Sequence, residues 1–434
     1  MLSAFANAFR TPDLRRKLLF VLMIIVIFRL GSQIPTPGVN VANVQTCIDI
    51  ASSGDNASLY SLVNLFSGGA LLQLTIFALG IMPYITASII LQLLVVVIPR
   101  LEALKKEGQS GQTKITQYTR YLTLGLAVLQ ATGIVALARS GQLLQNCNED
   151  LLHNDGTATF LVMVVTMTAG TAVIMWLGEL ITERGVGNGM SLLIFAQIIA
   201  TFPSSLWAVQ NSRGWWTFGI VMAIGLVIVA AVIFVEQAQR RIPVQYARRM
   251  VGRKMFGGSS TYIPLKVNQA GVIPVIFASS LLYLPAMLAS FNQNSESRWV
   301  RWINDYMISG AHPLYMIAFF LMIVFFTYFY VSITFNPQEV ADNMKKYGGF
   351  IPGIRAGKPT EEYLSYVLSR ITLPGSLYLG LVALIPLIAF AMINADQNFP
   401  FGGTSILIMV GVALDTVKQI ESQLQQRNYE GFLR

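Results

Sequence analysis

Charged residues are scarce in this sequence. Asp, Glu, Lys and Arg make up 12% of the 434 residues, whereas hydrophobic residues make up 54% and the mean hydropathy is +0.58. A water-soluble domain of this size needs far more charge to cover its surface. The scarcity is greatest in a series of long apolar windows between Gly80 and Gly411. The composition therefore excludes an ordinary soluble domain and predicts an α-helical membrane protein.

Residues that support catalysis or metal binding are also few. The two histidines, His153 and His312, are too far apart in the sequence to predict a metal site, and neither an HExxH motif nor a nucleophile elbow occurs. The segment 353–359 resembles a phosphate-binding loop only superficially, because its glycine spacing is one residue short and Pro359 replaces the required Ser or Thr. We therefore expect no enzyme activity, metal or cofactor.

The apolar windows lack the ionisable groups of ion-coupled transporters. Pumps and coupled transporters place Asp, Glu or His within the bilayer as relays, and the window centres contain none. Glu179 and Glu183 lie at one end of a window, and Asp415 lies near the end of the last. Small polar residues in the windows suit either helix packing or ligand binding. These absences favour a passive conduit or binding platform and leave a small-solute transporter open as the alternative.

Ten windows are candidates to cross the roughly 30 Å of hydrocarbon in a bilayer, and the last of them is short and is expected to continue into Val417–Gln419. With the N-terminus in the cytoplasm, 25 of the 30 Lys and Arg residues fall on the cytoplasmic side and four on the other, and Arg29 lies within the first window. This bias predicts cytoplasmic N- and C-termini, and it accounts for the net charge of +9 without a nucleic-acid partner. The predicted spans are Leu18–Ile34, Leu74–Ile98, Tyr121–Ala138, Thr157–Gly178, Gly189–Val209, Trp215–Val235, Gln269–Ser290, Pro313–Phe335, Leu373–Ile393 and Gly402–Asp415.

The ten spans divide into two sets of five, in residues 1–210 and 211–434. Because each set has an odd number of spans, the two halves have opposite orientations in the membrane, which permits an inverted repeat. The hinge between them is expected near Gln210–Gly214. No convincing sequence similarity links the halves, so the topology permits the repeat without proving it.

Two long cytoplasmic loops, at about 236–268 and 336–370, contain a large share of the basic residues. Both mix Lys and Arg with aromatic residues and with turn-forming Gly and Pro. A loop that only sets topology needs few basic residues, so we expect these loops to dock a large partner. The alternative is that they lie against anionic lipid headgroups.

The segment before the second span, about Asn56–Leu74, is apolar at helical spacing but too short to cross the membrane. The Gly68–Gly69 pair interrupts it, and a full span follows within a few residues. This arrangement predicts a discontinuous or re-entrant helix. The alternative is an amphipathic helix that rests on the outer surface.

The only two cysteines, Cys47 and Cys147, both fall in predicted external loops. Cysteines on an oxidising side of the membrane can pair. The sequence leaves both a disulfide and two free thiols open.

Four segments along the chain together resemble one known family. They read FALGIMPYITASIILQ from Phe77, MWLGELITERGVGNG from Met175, IPLKVNQAGVIPVIFAS from Ile263 and FIPGIR from Phe350. In this order they resemble the bacterial SecY family, whose members form the pore subunit of the general protein translocon. The resemblance extends from about Arg15 to the C-terminal tail.

The resemblance implies an all-α membrane fold of ten transmembrane helices, in two pseudo-symmetric inverted five-helix halves around a central pore, with a short re-entrant plug helix. A collar of flexible aliphatic side chains makes a dry constriction that obstructs ions and can widen around a chain of any sequence. Met190 stands where a branched residue is common and adds flexibility. The implied pore ring consists of Ile81, Ile85, Met190, Ile194, Ile276 and Ile408. The implied plug includes Leu59, Tyr60, Leu62, Val63, Leu65, Phe66, Ser67, Gly68 and Gly69.

The resemblance also implies a lateral gate formed by the second, third, seventh and eighth spans, through which apolar segments pass into lipid. Ser88, Gln92 and Asn268 are the candidate polar contacts across this gate, with helix capping and packing as their alternative role.

The implied partners are the SecE and SecG subunits, the SecA motor ATPase, the ribosome, and secretory and membrane proteins as substrates, in a bacterial plasma membrane. Basic loop residues suit both the motor and ribosomal RNA. We thus expect a protein-conducting channel, against the alternatives of an ion-coupled small-solute secondary transporter and a lipid-embedded scaffold without a pore. The candidate docking residues are Arg355 first, then Arg248, Arg249, Arg253, Lys254 and Lys358.

Overall fold

The structure is a computed structural model, and it describes residues 9, 11–51, 69–139, 141, 151–153, 156–246, 249–251, 254–256, 260–290, 302, 306, 312–393 and 403–430. Its regular elements follow one another in chain order. They are α1 (Pro12–Gly31), α2 (Val41–Ala51), α3 (Met82–Val97), α4 (Pro99–Lys106), α5 (Gln109–Arg139), α6 (Thr157–Arg184), α7 (Gly189–Gln237), β1 (Gln239–Tyr246), β2 (Arg249–Val251), β3 (Lys254–Phe256), β4 (Ser260–Lys266), α8 (Ile273–Ser290), α9 (Pro313–Thr334), α10 (Pro337–Lys346), β5 (Gly349–Phe350), α11 (Lys358–Ile393) and α12 (Gly403–Glu430).

Every predicted span overlaps a helix, which confirms the mostly helical membrane fold. Among the described residues, five helices are long and apolar enough to cross a membrane, and α3 with α4, bent by 98° at their junction, adds a sixth if the pair counts as one span. The number ten stays a prediction. The five helices are Gln109–Arg139, Thr157–Arg184, Gly214–Gln237, Pro313–Lys346 and Lys358–Ile385.

Several predicted boundaries were wrong. The second span was expected to start at Leu74, but residues 69–81 form turns and α3 begins only at Met82. Gly80 has a φ of 56° and Pro83 lies in the first turn of α3, so this stretch suits the start of a helix and not its interior. At the other extreme, α11 begins at Lys358, because polar residues extend this helix beyond its apolar part.

The predicted hinge lies within α7. Gly214 has φ 78° and ψ 177° and breaks an otherwise helical run. Glycine adopts this conformation at little cost because it lacks a Cβ. The break separates the fifth predicted span from the sixth, and the division of the chain into halves at residue 210 stays a prediction.

The two predicted docking loops fold into one unit. Strand β1 pairs antiparallel with β4, from Gln239 opposite Lys266 to Gln245 opposite Ser260, and β5 from the second loop pairs with the end of β1. Side chains alternate along β1, so Ile242 and Val244 are buried while their neighbours are exposed. This sheet module, defined here as β1, β4, β5 and α10, packs on the start of α11. Its core contains Ile242, Val244, Leu265, Met344, Ile351, Leu364 and Val367.

Three large apolar cores lie between the described helices. The first joins α2, the turns at 69–81, α5 and α6. A second joins the end of α7 with α8, α9, α11 and α12. Between them lies a seam cluster built from α1, the start of α3, α6, the start of α7, α8 and α12. Helices from both predicted halves therefore meet in the seam cluster.

One ion pair ties α5 to α6. Arg120 donates from Nε and Nη2 to the two carboxylate oxygens of Glu179, at 2.8 and 2.7 Å. The side chains are 38% and 18% exposed, and the paired geometry is the strong form of an arginine–carboxylate contact. Glu179 therefore has a structural partner, and this pairing favours a packing role over an ion-relay role.

Cys47 lies in the first core with none of its surface exposed, and its sulfur is in a disulfide. The other cysteine of the chain, Cys147, lies outside the described residues. Cys47 is therefore not a free thiol, and its pairing with Cys147 stays a prediction.

Candidate functional site

The six side chains of the implied pore ring all lie in the seam cluster. Five of them are buried and Ile85 is half-buried. They come from the start of α3, the start of α7, α8 and α12, and their contacts there are with other apolar residues. The structure thus brings together residues that are more than 300 positions apart in the sequence. That these side chains close a pore stays a prediction.

Ile81 and Ile85 are presented by the start of α3. Ile81 is the residue that precedes the helix, and the Ile85 N–H donates to its carbonyl at 3.1 Å. Residues four apart share one face of a helix. The positive φ of Gly80 brings the chain into this helix with Ile81 already buried.

Met190 and Ile194 share the same spacing at the start of α7. Asn188 caps this helix, since its side-chain oxygen accepts from the N–H groups of Met190 and Ser191 at 3.1 and 3.4 Å. Thr182 on α6 accepts from the Gly189 N–H at 2.9 Å. The cap and this hydrogen bond together fix the position of the Met190 backbone, from which its side chain extends.

Gly178 on α6 provides the space for the Met190 side chain. A Cβ at Gly178 would lie 2.5 Å from Sδ and 2.7 Å from Cε of Met190, distances that van der Waals contact does not allow. Gly189 is equally confined, because a Cβ there would overlap the carbonyl oxygen of Gly178. Two glycines therefore let α6 and α7 approach closely enough to seat the thioether.

Ile276 and Ile408 complete the set from the other half of the chain. Ile276 lies in the first turn of α8, next to Val272. Gly411 on α12 leaves room for Val272, because a Cβ at Gly411 would lie 3.0 Å from the Val272 Cγ1. Ile408 lies one turn before Gly411. The close approach of α12 and α8 thus brings these two isoleucines into the same cluster.

The three candidate gate residues differ in their surroundings. On α3, Ser88 is half-buried and Gln92 is exposed, whereas Asn268 is only 3% exposed. The Asn268 amide donates to Glu236 Oε1 at 2.6 Å and to the Gly271 carbonyl at 3.1 Å. Among the described residues, no hydrogen bond joins Asn268 to Ser88 or Gln92. The contact across the gate stays a prediction, although α8 does touch α3.

Glu236 was not singled out as a site residue from the sequence. It follows directly after an apolar span and precedes a run of basic residues, so it reads as the first residue of a polar loop. A buried carboxylate at that point depends on the fold of the following hairpin, which returns Asn268 to the same place. No pattern within the span itself indicates this pairing.

Two of the docking candidates, Arg355 and Lys358, are at the surface. The Thr360 hydroxyl donates to the Arg355 carbonyl at 2.9 Å, which fixes the turn between these two residues. Arg249 and Lys254 lie in the β2–β3 hairpin. Arg248 and Arg253 lie outside the described residues. The plug candidates Leu59 to Gly68 also lie outside them, and Gly69 sits in a turn with a φ of 89°.

Comparisons with known proteins identify relatives of this chain in sequence and in fold. A family model described as SecY matches residues 75–417. "Protein translocase subunit SecY" from Streptomyces scabiei is 69% identical over 440 residues, which cover 100% of both chains. A solved structure described as "The structure of a protein conducting channel" aligns with a TM-score of 0.63 at 19% identity, covering 94% of this chain and 91% of that one. A second solved structure, described as "Sec61 in the Canine ribosome-channel complex from the endoplasmic reticulum", aligns with a TM-score of 0.61 at 18% identity. The alignment covers 94% of this chain and 91% of that one.

Gly178→Ala should widen or misalign the constriction without unfolding the protein. The new Cβ collides with the end of a flexible side chain and not with backbone, so the Met190 thioether moves and the helices stay in place. We expect the resting ion conductance in planar bilayers to rise several-fold. Gly125→Ala on α5 is the matched control, because a Cβ there meets nothing within 4 Å. Equal conductance for both variants and the wild type would contradict the assignment of Met190 to the constriction.

Proposed function

The chain belongs to the SecY family, and from this premise we propose that it forms the pore of a protein-conducting channel, which passes unfolded polypeptides across a membrane. The observation that supports this most directly is the convergence of six aliphatic side chains, from both ends of the chain, in the seam cluster. The relative from Streptomyces scabiei has the name of a translocase subunit, which agrees with this role.

The chemistry of the ring suits the passage of many different sequences. Aliphatic side chains offer a passing chain no hydrogen bonds, so they do not select among sequences. In a narrow apolar constriction water is unstable, and its absence obstructs ions. Isoleucine and methionine can move apart through side-chain rotation and close again. In this proposal the ring blocks ions when the channel is at rest, and it closes around the polypeptide during transport.

The plug and the lateral gate complete the proposal. The segment 56–74 would block the ring from the external side and move away when a substrate enters. Helices α3 and α5 on one side, and α8 and α9 on the other, would separate to release transmembrane segments into lipid. In this proposal the contact between α3 and α8 is the place where such a gate would close.

The sheet module is the proposed docking surface on the cytoplasmic side. Both basic loops contribute to it. Arg355 and Lys358 are exposed in the segment between β5 and the first turn of α11, and Tyr347, just after α10, is 78% exposed. Exposed aromatic and arginine side chains are typical of binding surfaces. We propose the SecA motor ATPase and the ribosome as the partners here. SecE and SecG subunits would complete the complex in a bacterial plasma membrane, with both termini in the cytoplasm.

A reconstitution experiment tests the function itself. Proteoliposomes that contain the complex should protect a secretory precursor from protease only when SecA, ATP and an intact signal peptide are present. The alternative, a small-solute secondary transporter, requires saturable uptake of a solute that depends on an ion gradient. Failure to protect the precursor, together with such uptake, would contradict the channel.

Arg355→Glu tests the docking surface. The side chain is exposed and its carbonyl holds the turn, so charge reversal should leave the fold intact. Like-charge contacts at an interface cost several kcal/mol, so we expect SecA-driven export to fall about tenfold or more, with normal amounts of assembled complex. Arg100→Glu, at an exposed position on α4, is the control and should export normally. A normal export rate for Arg355→Glu would remove Arg355 from the docking surface.

A further inference from the structure

Glu236 is a buried carboxylate for which the channel mechanism above has no use. It lies in the last turn of α7 and is only 7% exposed. A carboxylate in such a position is costly unless a donor satisfies it. Its partner is the Asn268 amide at 2.6 Å, and the charged side chains whose fields reach it are those of Lys266, Lys418 and Asp415.

The pair lies at the base of the sheet module. Glu236 comes just before β1, and Asn268 comes just after β4. Between them, the Val267 N–H donates to the Ala238 carbonyl at 3.0 Å, and Gln239 opposes Lys266 in the first pair of the ladder. The Glu236–Asn268 hydrogen bond therefore closes the hairpin at the point where the strands give way to membrane helices.

The same amide positions the start of α8. Its nitrogen faces two acceptors, Glu236 Oε1 and the Gly271 carbonyl, so the orientation of the amide is set. Gly271 has a φ of 60° and precedes α8 by two residues. One turn into α8 lies Ile276, in the seam cluster. Residues 268–276 are therefore a short segment that connects the Glu236–Asn268 hydrogen bond to Ile276 of the proposed ring.

The orientation has a cost on the opposite side of the amide. The Asn268 side-chain oxygen is buried, and no hydrogen-bond donor for it occurs in the part of the chain that the structure describes. A buried acceptor without a donor is unfavourable. Turning the amide would take its nitrogen away from both acceptors, Glu236 Oε1 and the Gly271 carbonyl, so these two hydrogen bonds hold the observed orientation. On the α11 side, Gly375 packs so closely that a Cβ there would overlap the Val267 carbonyl, and it also approaches the Asn268 Cα. Glu236 and the Gly271 carbonyl therefore together hold the amide, and of the two only Glu236 acts through a side chain that a substitution can remove.

We propose that Glu236 is a positioning residue that holds Asn268, and with it the start of α8, in the resting arrangement, and so couples the sheet module to the gate. This inference rests on the proposed channel function. A partner that docks on the sheet module shifts β1 and β4, and the shift acts on the base of the hairpin. When the Glu236–Asn268 hydrogen bond is lost, the start of α8 can move, so weaker signal peptides suffice to open the gate.

Two substitutions separate the hydrogen bond from the charge. Glu236→Leu removes the acceptor, whereas Glu236→Gln keeps a side-chain oxygen at the same place without the charge. We expect Glu236→Leu to raise amide hydrogen exchange several-fold within residues 267–276 of the assembled complex in nanodiscs, and to leave α5 and α6 unchanged. In membrane vesicles it should also raise several-fold the export of a precursor with a weakened signal peptide, relative to the intact precursor. Glu236→Gln should retain most of the wild-type behaviour in both measurements.

Asp415→Asn is the matched control. Asp415 lies in the same region and pairs with Lys266 at 3.3 Å, but its side chain is 64% exposed, so its loss should change neither measurement. If Glu236→Leu assembles poorly, Glu236→Asp replaces it, because the shorter side chain withdraws the acceptor while keeping the charge. The same local rise in exchange is then expected.

The inference would be overturned if Glu236→Leu, or Glu236→Asp in its place, left amide hydrogen exchange in residues 267–276 unchanged. Equal effects of Glu236→Leu and Glu236→Gln would also overturn it, because the charge and not the hydrogen bond would then be responsible. Hydrogen exchange needs no transport, so it decides this inference even if the intact precursor is not exported. Absence of that export would contradict the channel function separately.

Discussion

A break in a helix within hydrocarbon is tolerated only where its free N–H and C=O groups find partners inside the protein. Three of the proposed ring residues, Ile81, Met190 and Ile276, lie next to such breaks. In the turns at 69–81, the backbone N–H and the hydroxyl of Thr36 both donate to the Leu74 carbonyl, and the Ile76 N–H donates to the Ile34 carbonyl. Asn188 caps α7 just before Met190, and Asn268 holds the turn before α8. The interior of the bundle therefore determines where helices can start, and each start brings an aliphatic side chain to the seam cluster.

The same constraint connects the membrane helices to the sheet module. Helix α7 leads straight into β1, and β4 leads into α8, so the hairpin base is held by backbone pairing and by the buried Glu236–Asn268 contact. Strand β5 then joins the second loop to the first. A partner that binds either loop meets one folded unit, and this unit is attached at its base to the helix that contains Ile276.

Hydropathy predicted the helices well because the membrane imposes a length and an apolar composition on every span. It missed what lies outside the hydrocarbon. Polar turns extend α5, α11 and α12 beyond their apolar parts, and the two-residue alternation of β1 is hidden among Arg240, Arg241 and Pro243. The partners of Glu179 and Glu236 are 59 and 32 residues away, and only the fold brings them together. The ring residues are predicted from family resemblance alone, since hydropathy does not distinguish one isoleucine in an apolar window from another.

The central claim is that a polypeptide passes through the ring of aliphatic side chains, and site-specific crosslinking measures this directly. A single cysteine at Ile276, in a chain otherwise free of reactive thiols, is paired with a cysteine in a stalled secretory precursor in membrane vesicles. The matched control is a cysteine at Val165, which is exposed on the outside of α6. The account predicts a disulfide at Ile276, dependent on ATP and the signal peptide, and none at Val165. Export of the precursor without a crosslink at Ile276 would place the path elsewhere.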